Sequence, residues 1–375
     1  MKVVVAIDSF KGSLTSLEAG EAVREGVLKA DKNADVVIRP LADGGEGTVE
    51  ALAIGLGGEM IEAEVTGPIG TPVTAKYCIV NGSTAVIEMA QAAGLPLVPT
   101  ELRDPMNTTT YGVGELILDA IKRGCRAFIV GIGGSATNDG GTGMLSALGF
   151  EFLDKNGAPI AQGARGLENL ASVSGENTIP ELRECSFRVA CDVNNPLCGE
   201  RGCSAVYAPQ KGATPEAVKI MDEWLGQYAE TAKKAFPNAD ASYPGAGAAG
   251  GLGFAFMTFL GGVLESGISI ILDETELEKH IADADVVVTG EGRIDFQTAM
   301  GKAPIGVAKL AKKYGKRVVA FAGCVTEDAE ECNLHGIDAF FPIVRGITTL
   351  DEALDKLNAR RNLTATAYQV FNLIK

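Results

Sequence analysis

The chain has 375 residues, a formal net charge of −15, 46% hydrophobic and 22% charged residues. That is the composition of a globular protein, and its length exceeds the size at which one core keeps growing, so two domains are expected. The negative charge disfavours attraction to nucleic acid and anionic membranes, the apolar stretch at 253–264 is too short for a bilayer span, and eight cysteines without a C-x-x-C pair, with two histidines, argue against structural zinc.

MKVVVAID lacks an export signal, so a cytoplasmic location with reduced thiols is expected. Residues 3–7 read as a strand buried on both faces that opens into Asp8-Ser9-Phe10-Lys11-Gly12. Lys11 sits at a strand-to-helix junction, where phosphates bind; the rival is a solvated surface lysine. Asp43-Gly44-Gly45-Glu46 sets two carboxylates among glycines, suited to a metal or substrate hydroxyls, or to a capped helix start. Residues 61–80, with turns at 67–68, 70–72 and Asn81-Gly82, read as hairpin-like antiparallel strands.

The apolar run 127–130 enters a loop, 131–143, with six glycines in thirteen positions. Glycines let backbone N–H groups approach an anion, and a following helix adds positive potential. Gly133, Gly134, Ser135, Thr137, Asn138, Gly140 and Gly141 are therefore candidate nucleotide-phosphate contacts, and Asp139 a candidate indirect Mg²⁺ ligand. The competing reading is a tight strand-to-helix connection without a ligand. Residues 150–160 read as a second hairpin around Asn156-Gly157. Asp192, after an apolar run at 187–191, is either a proton acceptor or an Asx turn.

Residues 245–250 fit G-x-G-x-x-G by letter but follow Pro244 rather than a strand, so a dinucleotide site lacks its context. No G-x-x-x-x-G-K-[ST] loop and no protein-kinase motif set occurs. The strand-like 286–289 leads into 290–295, which carries Glu291, Arg293 and Asp295. Phosphoryl transfer needs a base for the attacking hydroxyl and cations for the transferred group, and this loop holds both; structural ion pairing is the alternative. A further apolar strand is expected at 318–321.

Strand-to-loop-to-helix units of this kind point to an α/β protein with ligands at the carboxyl ends of parallel strands. They occur at the start, middle and end of the chain, so interleaved domains are expected: a parallel-sheet domain of 1–60, 105–145 and 265–375, and a second α+β domain of 61–104 and 146–264.

Segments 8–16 (DSFKGSLTS), 42–48 (ADGGEGT), 108–116 (TTTYGVGEL), 133–143 (GGSATNDGGTG), 192–202 (DVNNPLCGERG), 245–253 (GAGAAGGLG) and 290–304 resemble, collinearly over essentially the whole chain, the bacterial glycerate kinase type 1 family. The resemblance implies ATP- and Mg²⁺-dependent phosphorylation of glycerate, (R)-glycerate to 2-phosphoglycerate, in organic-acid catabolism. It also implies a flavodoxin-like (Rossmann-like) domain and a restriction-enzyme-like one. On this reading ATP phosphates lie on the 131–143 loop and glycerate between the domains. Asp295, or failing that Asp192, takes the hydroxyl proton, and Lys11 and Arg293 offset negative charge. Ser9, Asp43, Glu46, Thr109 and Glu291 contact substrate. A kinase for a related small hydroxy acid and a non-catalytic sensor of a phosphorylated metabolite are the alternatives, and a homodimer is left open.

Overall fold

The computed structural model describes the chain except for residues 42–48, 50, 51, 54 and 55, so Asp43 and Glu46 lie outside the described residues. The molecule divides into two units, one made of Met1–Asp43, Glu50–Gly57 and Ile268–Lys375, the other of Gly44–Val49 and Gly58–Gly267.

The first unit is organised by β1 (Lys2–Val5). Its valines are fully buried because the strand lies inside a sheet, with Val4 opposite Val37 of β2 (Asp35–Ile38) and Val287 of β11 (Val286–Ile294). With β12 (Arg317–Val325) and β13 (Ala339–Pro342) the order is β13-β12-β11-β1-β2, all parallel. Parallel neighbours need crossovers, usually helical. The first crossover, Ser16–Ala30, starts at a capping box in which Thr15 and Glu18 satisfy each other's backbone N–H groups. It packs on the C-terminal helix Lys356–Ile374 so closely that a Cβ on Gly26 would lie 2.6 Å from the Thr364 carbonyl. Between these helices and the sheet sit Val5, Ile7, Val23, Val288, Phe321, Leu363 and Phe371. The chain steps to β2 on one side of β1 and to β11 on the other. Such a reversal leaves a crevice at the carboxyl ends of the two central strands, where residues 8–12 and the last residues of β11 lie.

The second unit holds a mixed sheet ordered β10-β9-β6-β5-β4-β3. β3 (Glu59–Thr66), β4 (Pro72–Val80) and β5 (Thr84–Glu88) form the expected antiparallel run. Asn81 and Gly82 both adopt positive φ, as a right-twisted hairpin turn requires. β5, β6 (Ala127–Gly131), β9 (Ser186–Ala190) and β10 (Val263–Glu265) are parallel.

Residues 105–145, expected in the first domain, thus belong to the second unit. The apolar run at 127–130 reported correctly on a strand buried on both faces, but that property is shared by the parallel strands of both sheets. The hairpin expected at 150–160 is also reduced. β7 (Glu151–Leu153) pairs with β8 (Ser172–Ser174), while the far side of the Asn156-Gly157 turn returns only as a bridge between Leu153 and Pro159. Asp154 pins that turn by accepting the Asn156 and Ala158 N–H groups, which fixes the loop without needing a second strand.

Phe321 is fully buried at the centre of the first unit's core. Truncation to Ala is expected to lower stability by about 3–5 kcal/mol, read by urea denaturation as a lower midpoint at an unchanged slope.

Candidate active site

In the first unit the Asp8 backbone N–H donates to the Gly290 carbonyl (2.9 Å), tying the loop that follows β1 to the middle of β11; residues 290–294, expected as a loop, continue that strand, paired with β12. Asp8 is buried, and its carboxylate accepts the Ser9 N–H (2.6 Å). Ser9 is half-buried and Lys11 exposed. Lys11 borders an apolar cavity of about 130 Å³ lined also by Phe10, Gly292, Gly323 and Leu354.

The carboxyl end of β11 carries the densest chemistry of this unit. Asp295 caps the short helix Phe296–Ala299: its Oδ1 accepts the Gln297 and Thr298 N–H groups, while Oδ2 meets Arg293 Nε at 3.2 Å. Glu291 Oε1 accepts the Thr298 hydroxyl at 2.6 Å, and Lys302 approaches Oε2 at 3.8 Å. Burial pushes the Glu291 carboxyl above its ordinary range; Thr298, Lys302 and Lys11 pull it back, and the Asp295 charge adds to the rise. Arg293 is largely exposed, so its pair with Asp295 is worth roughly 0–1 kcal/mol of stability. An exposed cation beside a buried carboxylate is better suited to meeting an anion than to holding the fold. Thr298 links both acids, because its hydroxyl also accepts the Asp295 N–H. It was missed as a site residue, although the Asp-x-x-Thr spacing is a capping-box signal.

In the second unit the 131–143 loop joins β6 to the helix Thr142–Ala147. Asp139 is fully buried. Its Oδ2 accepts the Thr110 N–H (2.9 Å), the Thr110 hydroxyl (2.8 Å) and the Gly143 N–H (3.3 Å), and Oδ1 accepts the Gly141 N–H (3.1 Å). Burial pushes this carboxyl up and those donors pull it back. With both oxygens engaged inside the protein, Asp139 does not fit as a magnesium ligand in this arrangement, and its carboxylate instead organises the loop. Among the described residues no group of three or more Asp, Glu, His or Cys could hold a metal.

The deeper glycines are explained by packing. Gly141 has φ +76°, and a Cβ there would lie 2.4 Å from that of Ala255. The Gly140 N–H donates to the Gly250 carbonyl (2.9 Å), and a Cβ on Gly250 would lie 2.1 Å from the Thr137 carbonyl. The G-x-G-x-x-G letters at 245–250 therefore serve a close backbone contact with this loop, through a left-handed turn at Ala249, Gly250 and Gly251 before the helix proper.

Gly133 and Gly134 are the exposed part of the loop, with Ser135 at its edge; Thr137, Asn138, Gly140 and Gly141 are buried. Asn138 donates through Nδ2 to Ser204 Oγ (2.9 Å). Asn138 Oδ1 and Thr137 Oγ1 are buried without a partner. Thr109 is buried and donates to Gln162 Oε1 (2.6 Å). Asp192 is exposed, and its Oδ1 accepts the Gly267 N–H (3.2 Å).

The structure also brings in Lys211, which sequence reasoning passed over. Its Nζ, buried, donates to Ser135 Oγ and to the Thr137 carbonyl, both at 2.7 Å. Nothing in Ala-Pro-Gln-Lys-Gly marks that lysine as internal.

If Asp139 is the organiser of this loop, Asp139→Asn, which offers one acceptor oxygen and an unwanted NH₂ to four donors, should cost about 2–4 kcal/mol. Chemical denaturation with and without Mg²⁺ checks this: a loss independent of the metal is the expected result.

A model of the Glycerate kinase family matches residues 3–375. Glycerate kinase of Haemophilus influenzae is 48% identical over 375 residues, covering 100% of this chain and 99% of that protein. Glycerate 2-kinase of Escherichia coli is 49% identical over 372 residues, covering 98% of each. A crystal structure from Salmonella typhimurium LT2, provisionally named glycerate kinase 2, superposes with a TM-score of 0.92 at 47% identity, covering 100% of this chain and 98% of that one. The chain belongs to the Glycerate kinase family.

Proposed function

We propose that this protein transfers the γ-phosphoryl group of ATP to glycerate and releases 2-phosphoglycerate and ADP. The observation that carries this reading is the 49% identity, over 98% of both chains, with the glycerate 2-kinase of Escherichia coli. The five-strand sheet, whose order within its own unit runs 2-1-3-4-5, is read as flavodoxin-like, and the mixed sheet as restriction-enzyme-like. Among the described residues no helix is long and apolar enough to cross a membrane, in keeping with a cytoplasmic enzyme acting on small soluble substrates.

In the reaction the 2-hydroxyl oxygen of glycerate attacks the γ-phosphorus, the bond from that phosphorus to the bridging oxygen breaks, and ADP leaves with the electron pair. The hydroxyl proton goes to Asp295, whose second oxygen, among the described residues, meets only the exposed Arg293. Arg293 and Lys11 balance the charge on the phosphoryl group and the glycerate carboxylate. Ser9 and Thr109 contact the substrate, Asp192 is the alternative acceptor of the hydroxyl proton, and Gly133, Gly134 and Ser135 contact the ATP phosphates. Thr137, Asn138, Gly140 and Gly141 act from beneath, by shaping the loop. Magnesium, when bound with the nucleotide, supplies charge neutralisation to the phosphates.

Glu291 is a second candidate for the base, favoured by a carboxyl that burial holds above its ordinary range. Two variants separate the candidates. Asp295→Asn keeps a good helix cap and removes the charge; if Asp295 is the base, turnover falls about 10²–10⁴-fold with the fold intact. Near-normal turnover in that variant, with a comparable loss in Glu291→Gln, reassigns the base to Glu291. The reaction itself is tested by coupled ADP release with ATP, Mg²⁺ and each glycerate enantiomer, followed by phosphorus NMR of the product. A 2-phosphate signal is expected. Turnover with a 3-phosphate signal overturns the position of attack, and no turnover by folded protein overturns the kinase reading.

A further inference from the structure

Lys211 ends the short 3-10 turn Pro209–Lys211 and points inward, with 2% of the residue exposed. Its two hydrogen-bond acceptors, the Ser135 hydroxyl and the Thr137 carbonyl, are neutral. Among the described residues it forms no ion pair. The charges that act on it are those of the Cys203 thiol and the Asp139 carboxyl. Cys203 is itself pushed up to about 12 by burial, so it carries no charge near neutral pH. Asp139 is already committed to four N–H and O–H donors of its own. An ammonium buried against neutral oxygens is costly, and hydrophobic packing alone gives no reason for a lysine here.

The surroundings supply the reason. Ser135 stands between Lys211 and the exposed backbone of Gly133 and Gly134. A serine hydroxyl has one proton to give. Because Ser135 Oγ accepts from Lys211, that proton remains available to a ligand oxygen, and the ammonium behind it makes it a stronger donor.

We infer that Lys211 is the buried counter-charge of an anion site at Gly133–Ser135, and that the anion is the phosphate chain of the nucleotide. The inference rests on the kinase reading for the identity of the anion and on geometry alone for the existence of the site. Lys211 acts through Ser135, so it is a positioning residue. It sets the charge and the direction of the Ser135 hydroxyl, and a phosphate docking on the loop completes the ion pair that the fold leaves open.

This arrangement has a proton signature. Burial lowers the Lys211 ammonium to about 8. An anion nearby favours the charged form and raises that value, so binding at pH 8.5 takes up protons, and affinity strengthens as pH falls through about 8. ADP is fully ionised at that pH and contributes no uptake of its own.

The test is calorimetric titration of the full chain with ADP at pH 8.5 in two buffers of different ionisation enthalpy. Wild type is expected to take up a fraction of a proton per ADP. Lys211→Arg, charged throughout, is expected to bind with no uptake, and Lys211→Met to bind ADP at least about tenfold more weakly with the KM for glycerate within about twofold of wild type. A purely structural lysine would leave the proton count unchanged. Absence of uptake in wild type, or uptake that survives in Lys211→Arg, overturns the inference. So does a Lys211→Met variant that raises the KM for glycerate and leaves ADP affinity intact, since the anion would then be the substrate carboxylate. Should Lys211→Met fail to fold by circular dichroism, the wild-type and Lys211→Arg proton counts decide alone. Wild-type protein that binds ADP with uptake but never phosphorylates glycerate upholds the site and removes the kinase reading; turnover without uptake does the reverse.

Discussion

The second unit depends on one buried carboxylate. Asp139 gathers the Thr110 N–H and hydroxyl and two amides of its own loop, so the chain leaving β6 is folded back on itself before the helix Thr142–Ala147 begins. That reversal forces Gly141 into the left-handed region and brings Gly140 within hydrogen-bonding distance of Gly250. The Gly250 turn can approach only because Gly250 and Gly251 carry no Cβ: one would lie 2.1 Å from the Thr137 carbonyl oxygen, the other 2.8 Å from the Gly140 Cα. The consequence reaches the surface: with the deeper loop anchored in this way, Gly133 and Gly134 are left facing solvent, next to the buried Ser135 and Lys211.

The first unit solves a different electrostatic problem. Glu291 and Asp295 lie at the end of a central parallel strand; the Asp295 carboxylate accepts two helix-cap N–H groups, the Glu291 carboxylate accepts the Thr298 hydroxyl, and that hydroxyl accepts the Asp295 N–H. Their cations, Arg293 and Lys302, are at least partly exposed. Largely buried acids fixed by hydrogen bonds, with their cations reaching toward solvent, suit a proton acceptor that must meet an incoming anion. The second unit inverts this, with the cation fixed and buried and the loop backbone outermost. Two kinds of charge are thus presented by two sheets, one at a strand end and one beneath a loop.

Much of this was legible in the sequence because it rests on local patterns. The apolar runs at 3–7 and 286–289 announced strands buried on both faces and Asn81-Gly82 announced a hairpin, whereas 290–294, expected as a charged loop, continues β11 because its backbone pairs with β12. What stayed illegible depends on partners distant along the chain. The run at 127–130 could not reveal which sheet it joins, because either sheet would bury it. The glycines at 140, 141 and 250 look alike whether they admit a phosphate or another backbone; Tyr228, Ala255 and the Thr137 carbonyl decide it. Asp139, read as a metal ligand from its neighbours in sequence, meets Thr110 from the start of another helix. Asp43 and Glu46 fall outside the described residues and stay expectations.

The missing P-loop signature is explained on the same terms. In a G-x-x-x-x-G-K-[ST] loop the phosphate-binding lysine follows the glycines in sequence, so one motif encodes both the cradle and its charge. Here the loop after β6 ends in Thr142-Gly143-Met144 and carries no cation of its own, while its only acid is turned inward. A loop of amides and hydroxyls would meet a polyphosphate with dipoles alone. In the anion site we infer, Lys211 supplies the charge from a distant turn, through a serine, and keeps it out of water, where it acts across a lower dielectric than a surface lysine could. Splitting cradle from charge makes the motif invisible to pattern matching. It also ties the strength of the site to whether the lysine is protonated.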